Sequence, residues 1–257
     1  MRAFYASAYY SYQGLFAWLT PSMFIAQKVL IPLGQIMFFS FIGAYGGSQP
    51  FDFYLIGNAM VTASAACVFI CLAISEERGM GTLVYLMASP ANRAAMFFGR
   101  STIHILEGIG HVVVGFAWAM MVFGLDLPAS SWGGVFISIV VGTVAVSGLG
   151  LLLGGISYLV LDAGLFANAA TFILLFLSGA NIPLEELPAE LRAVSYALPL
   201  TRSIEAARDF VAGGSLIEIS SLLLADLALG IVYALAGLSL FSWLETQARR
   251  RGTLENV

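Results

Sequence analysis

Six long apolar runs decide what this chain can become: roughly 22–45, 51–75, 101–124, 132–157, 163–182 and 217–243. Each is close to the ~20 residues that a helix needs to cross the apolar core of a bilayer. Inside hydrocarbon no water is present to satisfy the backbone, so an open chain spans as helix, which satisfies its own N–H and C=O groups. Composition points the same way. Of the 257 residues, 60% are hydrophobic and only 10% are charged, against about 25% charged in an ordinary soluble domain. Such a chain in water would carry very large exposed apolar patches. The expected fold is all-α: a polytopic membrane protein with six transmembrane helices, an N-terminal interfacial helix and short re-entrant helices on the outer side.

Turn and charge signals bound the runs. Thr20-Pro21 reads as an N-cap followed by proline at the first helical position. Gly46-Gly47-Ser48-Gln49-Pro50 separates the first two spans, Asp126-Leu127-Pro128 the third and fourth, and 158–164 the fourth and fifth. Ser215 with Glu218 reads as a capping box that opens the sixth. An even number of spans puts both termini on one side. Arg2, Lys28, Arg78, Arg93, Arg100 and Arg249 to Arg251 fall there, whereas 46–50 and 125–131 hold no Lys or Arg. Basic residues favour the cytoplasmic side, so both termini are expected in the cytoplasm. Residues 1–20 are aromatic and polar and lack a short apolar core with a cleavage site, so no cleaved signal peptide is expected. Cys67 and Cys71 lie four apart inside one apolar run and read as packing residues.

Three segments do not span. Over 2–19, Phe4, Tyr5, Ala8, Tyr12, Leu15, Phe16 and Leu19 recur at helical spacing, which predicts an amphipathic helix lying in the interface. The loop 76–93 is the longest and most polar on the cytoplasmic side. Gly79 and Gly81 stop the helix that leaves the membrane, Thr82 can cap a short helix over about 83–88, and Pro90 can start the next. Helix connections typically run about 2–8 residues, so a loop this long is better read as a docking surface than as a bare connector. The outer segment 183–214 is punctuated by Pro183, Pro188 and Pro199. It holds two helical patterns, 186–197 and 200–212, too charged to span, and ends at Gly213-Gly214.

The chain has one lysine, Lys28, followed by Val29. No Gly-x-x-x-x-Gly-Lys-Ser/Thr phosphate loop exists here, so nucleotide-driven work requires a second polypeptide. His104, Glu107 and His111 stand at i, i+3 and i+7 in the third span, on one helix face. Ionisable groups at membrane depth are costly and often functional. These three fit a hydrogen-bonded network between helices, a proton relay or a metal site; no further ligand cluster accompanies them, so no metal is expected. Asp226, within the last span, must face protein or water, in a structural or a substrate role. Gly150-x-x-x-Gly154 is a small-residue motif that permits close helix contact; such motifs are common by chance in Gly-rich spans and point only weakly to a dimer face. A pairing of Ser147 with His104 or His111 has only residue type behind it, so no catalytic residues are expected.

Two stretches resemble a known family. Glu76-Glu77-Arg78-Gly79-Met80-Gly81-Thr82-Leu83-Val84-Tyr85-Leu86-Met87-Ala88-Ser89-Pro90, with Arg93 beyond, is similar to the first cytoplasmic loop of ABC-2 type transporter permeases. Ser178-Gly179-Ala180-Asn181-Ile182-Pro183, then Leu187-Pro188 and Pro199-Leu200-Thr201 with Glu205-Ala206-Ala207-Arg208, resembles the segment before that family's last span. The two occur in family order, and with the spans they make 1–257 one ABC-2 type transmembrane domain.

The resemblance implies a permease half-transporter. Two such chains, more readily identical than different, would pair and work with two copies of an ABC ATPase subunit. No cofactor is expected in this chain itself, because ATP and Mg would sit on the partner. Glu76, Glu77, Arg78, Gly81, Thr82, Leu83, Leu86, Ser89, Pro90 and Arg93 would form the ATPase-docking loop with its coupling helix. Pro183, Pro188, Pro199 and Arg208 would belong to outer re-entrant helices, and 2–19 would be the connecting helix. The implied setting is the plasma (inner) membrane of a prokaryote, with the lipid bilayer and protein, not nucleic acid, as partners. The implied function is export of an amphiphilic drug, lipid or lipo-oligosaccharide, which the aromatic and Met-containing lining of spans one, two and five would suit. The competing reading is an ion-gradient carrier or channel that uses His104, Glu107, His111 and Asp226.

Overall fold

The N-cap read at Thr20 forms: its hydroxyl accepts the Met23 N–H at 3.3 Å, with Pro21 in the first turn of the helix it opens. The computed structural model describes residues 5–7, 9, 13, 20–47, 49–79, 93–157 and 163–251. Helix α1, Pro21–Ile25, runs into a π-helical turn, Ala26–Leu30, and then into α2, Ile31–Gly46. Next come α3, Phe51–Val61, and α4, Ser64–Gly79; α5, Arg93–Met121; α6, Trp132–Ser157; and α7, Ala163–Leu177. Two short helices follow, α8, Ala189–Ala197, and α9, Thr201–Val211, before the long α10, Leu216–Arg251. No strand occurs among the described residues. The interfacial-helix expectation falls mostly outside them; Tyr5, Ala6, Ser7, Tyr9 and Gln13 are helical, and Tyr5 and Tyr9 are exposed.

Among the described residues, five stretches are long and apolar enough to cross a bilayer: Ala26–Gly46, Phe51–Ser75, Ser101–Met121, Ala129–Ser157 and Leu216–Leu244. The run expected to span over 163–182 is helical only to Leu177. At 1.5 Å per residue, its 15 residues cover roughly 22 Å, short of the ~30 Å apolar core. It stops because Gly179 takes φ +80°, a left-handed conformation that glycine adopts cheaply. Asn181 then turns back and donates its amide to the Leu175 carbonyl at 3.0 Å, satisfying one of the orphan acceptors of the helix end.

The second span forms the middle of the bundle. Residues 54–64 on it are all buried, and Leu55, Ala59, Met60 and Val61 join the main apolar core. Glycines let its neighbours approach closely. A Cβ on Gly150 would lie 2.8 Å from the Cys67 carbonyl oxygen, and one on Gly154 2.5 Å from Ile74. The Gly150-x-x-x-Gly154 motif therefore packs α6 against α4 inside the chain, and it is not a dimer face. The reason is that α6 carries small residues all round: Gly148 meets Gly230 of α10, and a Cβ on Gly237 would sit 2.7 Å from Leu151. By contrast α2 leaves Met37, Phe38, Phe41, Ile42 and Tyr45 exposed, and α10 leaves Leu224, Ile231, Val232 and Leu235 exposed. Such faces suit lipid or a further protein.

Candidate functional site

Polar groups in the bundle gather at two places. The first lies where the segment 183–214 packs. Its helices begin as the prolines dictate, with Pro188 before α8 and Pro183 before a 3-10 turn, Leu184–Glu186. Helix α9 is amphipathic as the sequence requires, with Leu200, Ile204, Ala207 and Phe210 buried. It ends where Gly213 takes φ +92°. The capping box also forms: the Ser215 N–H donates to the Glu218 carboxylate at 3.1 Å.

Both ends of α9 are held by charges. At its start Asp226, fully buried on α10, accepts the backbone N–H of Leu200 at 3.1 Å and of Ser203 at 3.2 Å, and also the Ser203 hydroxyl. Leu200 adopts φ +84°, a strained conformation for a residue with a Cβ. Nearer its end Arg208 donates to the Gly179 carbonyl at 2.9 Å, the Ala180 carbonyl at 3.1 Å and the Phe53 carbonyl at 2.9 Å, with its guanidinium 3.4 Å from the Phe53 ring centre. Burial pushes the Arg208 guanidinium down to about 9, and Glu205, Glu185 and Asp209 oppose that shift, so it stays charged at neutral pH. Burial also raises Glu205 above the usual carboxylate range, partly offset by the Tyr196 hydroxyl that donates to it at 3.2 Å.

A pair not foreseen from the sequence ties α3 to this corner. Buried Asn58 and half-buried Asn181 exchange amide hydrogen bonds of 2.8 and 3.3 Å. The available signal was one Asn within the second apolar run and another near the end of the fifth.

The second place holds the predicted intramembrane trio. His104, Glu107 and His111 do share one face of α5: His104 Nδ1 is 3.3 Å from the Glu107 carboxylate, and His111 Nδ1 donates to the Glu107 carbonyl at 2.9 Å. No spacing or motif joins Lys28 to them, yet its ammonium pairs with Glu107. Phe69 of α4 closes the group, 6.2 Å from the His104 ring, 6.5 Å from His111 and 5.0 Å from the Lys28 ammonium. Among the described residues no group of His, Cys, Asp or Glu could hold a metal ion. Asp226 takes no part here; its donors all come from α9 and the residue before it.

Of the expected docking residues, Glu76, Glu77 and Arg78 lie in the last turns of α4, and Arg93 opens α5. Gly81, Thr82, Leu83, Leu86, Ser89 and Pro90, with the short helix expected over 83–88, lie outside the described residues. Pro199 precedes Leu200 at the entry to α9.

The architecture is that of an all-α multi-pass membrane protein whose polar groups join helices to one another. The chain matches the model of the ABC-2 type transporter family over residues 7–211 and belongs to that family. It is therefore a permease subunit of an ABC transporter, a membrane transport component of a kind that normally works with an ABC ATPase and is typically not catalytic itself. No curated protein matches the chain.

Proposed function

We propose that this permease belongs to an ATP-driven exporter that moves an amphiphilic drug, lipid or lipo-oligosaccharide out of the cytoplasm or the inner leaflet. Two copies pair, each docked through 76–93 onto an ATPase subunit that carries ATP and Mg. The chain resides in the plasma membrane of a prokaryote with both termini in the cytoplasm, and 183–214 caps the outer side. The observation that carries the substrate class is the pairing of aromatic faces on α2 and α7. Phe39 and Phe176 meet edge-on at 6.4 Å, while Phe38, Phe41, Phe172 and Phe176 stay largely exposed. The second span, buried inside the chain, offers no such face. Aromatic, apolar surface beside a bilayer favours a molecule with a large apolar part. The gradient-driven alternative is weakened by the placement of its residues: Glu107 is engaged by Lys28, and Asp226 by Leu200 and Ser203.

The test is a mild-detergent pull-down of the tagged chain from its native host, with mass spectrometry of what accompanies it. Recovery of a phosphate-loop ATPase, lost when Glu77→Ala, Leu83→Ala and Leu86→Ala are combined, supports the reading. Recovery of the chain alone under several detergents turns the case to the gradient-driven carrier. Vesicles that accumulate only small, strictly polar solutes overturn the amphiphile.

A further inference from the structure

Two costly features coincide at the start of the first span. The turn Ala26–Leu30 is π-helical, a rare geometry with one extra residue per turn, often found at functional positions. In the middle of that turn lies Lys28, whose side chain is 12% exposed, paired with Glu107, 6% exposed. A buried ion pair is a poor means of stabilising a fold, because desolvation of two charges offsets much of their attraction. The pair therefore asks for a reason other than stability.

The contacts around it supply one. Helix α5 engages three successive residues of the π-turn from one side. Glu107 takes the Lys28 ammonium, His111 lies against the Gln27 backbone, and the Trp118 indole N–H donates to the Val29 carbonyl at 3.0 Å. The last bond satisfies a carbonyl in the stretch where the regular helical ladder is broken. Phe69 of α4 covers the same point through the Lys28 ammonium and both histidine rings. The first three spans thus meet at one joint. Helix α5 runs unbroken from Arg93 through Glu107, roughly 21 Å at 1.5 Å per residue. It leaves directly from the loop 76–93.

We propose that Lys28, Glu107, His111 and Trp118 are positioning residues that clamp the π-turn onto α5, so that movement of the docking loop is passed through α5 to the first span. This rests on the ATPase-driven reading above. A straight helix transmits displacement, and a broken helical turn gives the first span a place to change register, so the clamp decides whether the two move together.

The experiment uses the full permease–ATPase complex in lipid nanodiscs, with Cys67→Ala and Cys71→Ala. Spin labels are placed at the exposed Ile25 and Leu106, and their separation is measured without nucleotide, with ATP bound and in a vanadate-trapped state. The original pair should keep one narrow distance in all three states. The apolar double variant Lys28→Met with Glu107→Leu should assemble, since apolar replacement of a buried pair is often tolerated. It should nevertheless broaden that distance and cut transport per ATP hydrolysed at least about fivefold, the lower range of coupling between sites. Lys28→Arg, which keeps the charge, should restore both. An unchanged narrow distance in the double variant overturns the proposal, as does a distance that already shifts between states in the original chain. Failure of both the double variant and Lys28→Arg to assemble overturns it too, since the pair would then serve folding. Absence of any co-purifying ATPase sinks the exporter reading instead, and the nucleotide-free distance still reports on the clamp.

Discussion

The Asp226 carboxylate accepts both the hydroxyl and the backbone N–H of Ser203, so the last membrane helix caps a helix that precedes it in the chain. A carboxylate at a helix N-terminus meets orphan N–H donors and the positive end of the dipole. Here it also holds Leu200 at φ +84°. Asp226→Ala should remove all of this, lowering stability by about 1.5–3 kcal/mol, the range for hydrogen bonds to a charged group. Asp226→Asn keeps one acceptor oxygen and should lose less. Thermal unfolding of the purified chain in detergent reads the difference. Equal melting of Asp226→Ala and the original chain would show that the cap contributes nothing.

Arg208 reaches three carbonyls on two separate stretches, Phe53 and Gly179-Ala180, and lies over the Phe53 ring. Only a planar, forked cation makes that set; an ammonium is a compact point charge. Arg208→Lys should therefore behave as a loss, not as a conservative change, costing about 1–3 kcal/mol through carbonyls left unmatched. Limited proteolysis between 183 and 214 checks it: the variant should be cut faster at the same protease concentration. Cutting at the original rate would show that the forked geometry is dispensable.

Glycine contacts between α6 and α10 predict a sharp contrast. A methyl group on Gly148 would run into the Gly230 backbone, and neither helix can yield without moving the other. Gly148→Ala should cost about 1–3 kcal/mol as overpacking. At Gly110 nothing lies within 4 Å of the added carbon, so Gly110→Ala should be neutral or stabilise by up to about 1 kcal/mol. Melting temperatures measured side by side decide the matter, and a loss at Gly110 as large as at Gly148 would contradict the packing.

Helix existence was legible because apolar runs in a lipid-facing chain have one outcome. Thr20 and the Ser215–Glu218 box were legible because caps are local chemistry. What the sequence does not carry is partnership at a distance. Nothing around Lys28 announces Glu107, nothing around Asp226 announces Leu200 and Ser203, and Gly150 and Gly154 say that something approaches closely without saying that it is Cys67 and Ile74. The π-turn does have a signature in Pro32, which has no N–H to give the Lys28 carbonyl its regular helical bond; which side chains of α5 cover the break is what the sequence does not show. The early end of α7 depends on the φ of Gly179, and a glycine inside an apolar run is equally compatible with a continuing helix in a membrane.

The amide pair Asn58–Asn181 bridges 123 residues of sequence and offers the cleanest measurement of how the corner after α7 is held. Asn58 donates to the Asn181 carbonyl oxygen at 2.8 Å and to the Tyr54 carbonyl at 2.9 Å, while Asn181 returns a bond of 3.3 Å and donates to Leu175 at 3.0 Å. Removing either side chain leaves the other its backbone bond, to Tyr54 or to Leu175, but takes away the partner of its amide oxygen, and an unmatched amide oxygen away from water carries a desolvation cost. Asn58→Ala and Asn181→Ala should each destabilise by about 0.5–2 kcal/mol, in keeping with hydrogen bonds between membrane helices. The double variant leaves no stranded partner, so it should be no worse than the poorer single. A double-mutant cycle should therefore give a coupling of about 0.5 kcal/mol or more, measured by reversible unfolding in mixed micelles. Strict additivity would mean that the two amides are held by Tyr54 and Leu175 independently, and that the corner owes its shape to Gly179 and Arg208 alone.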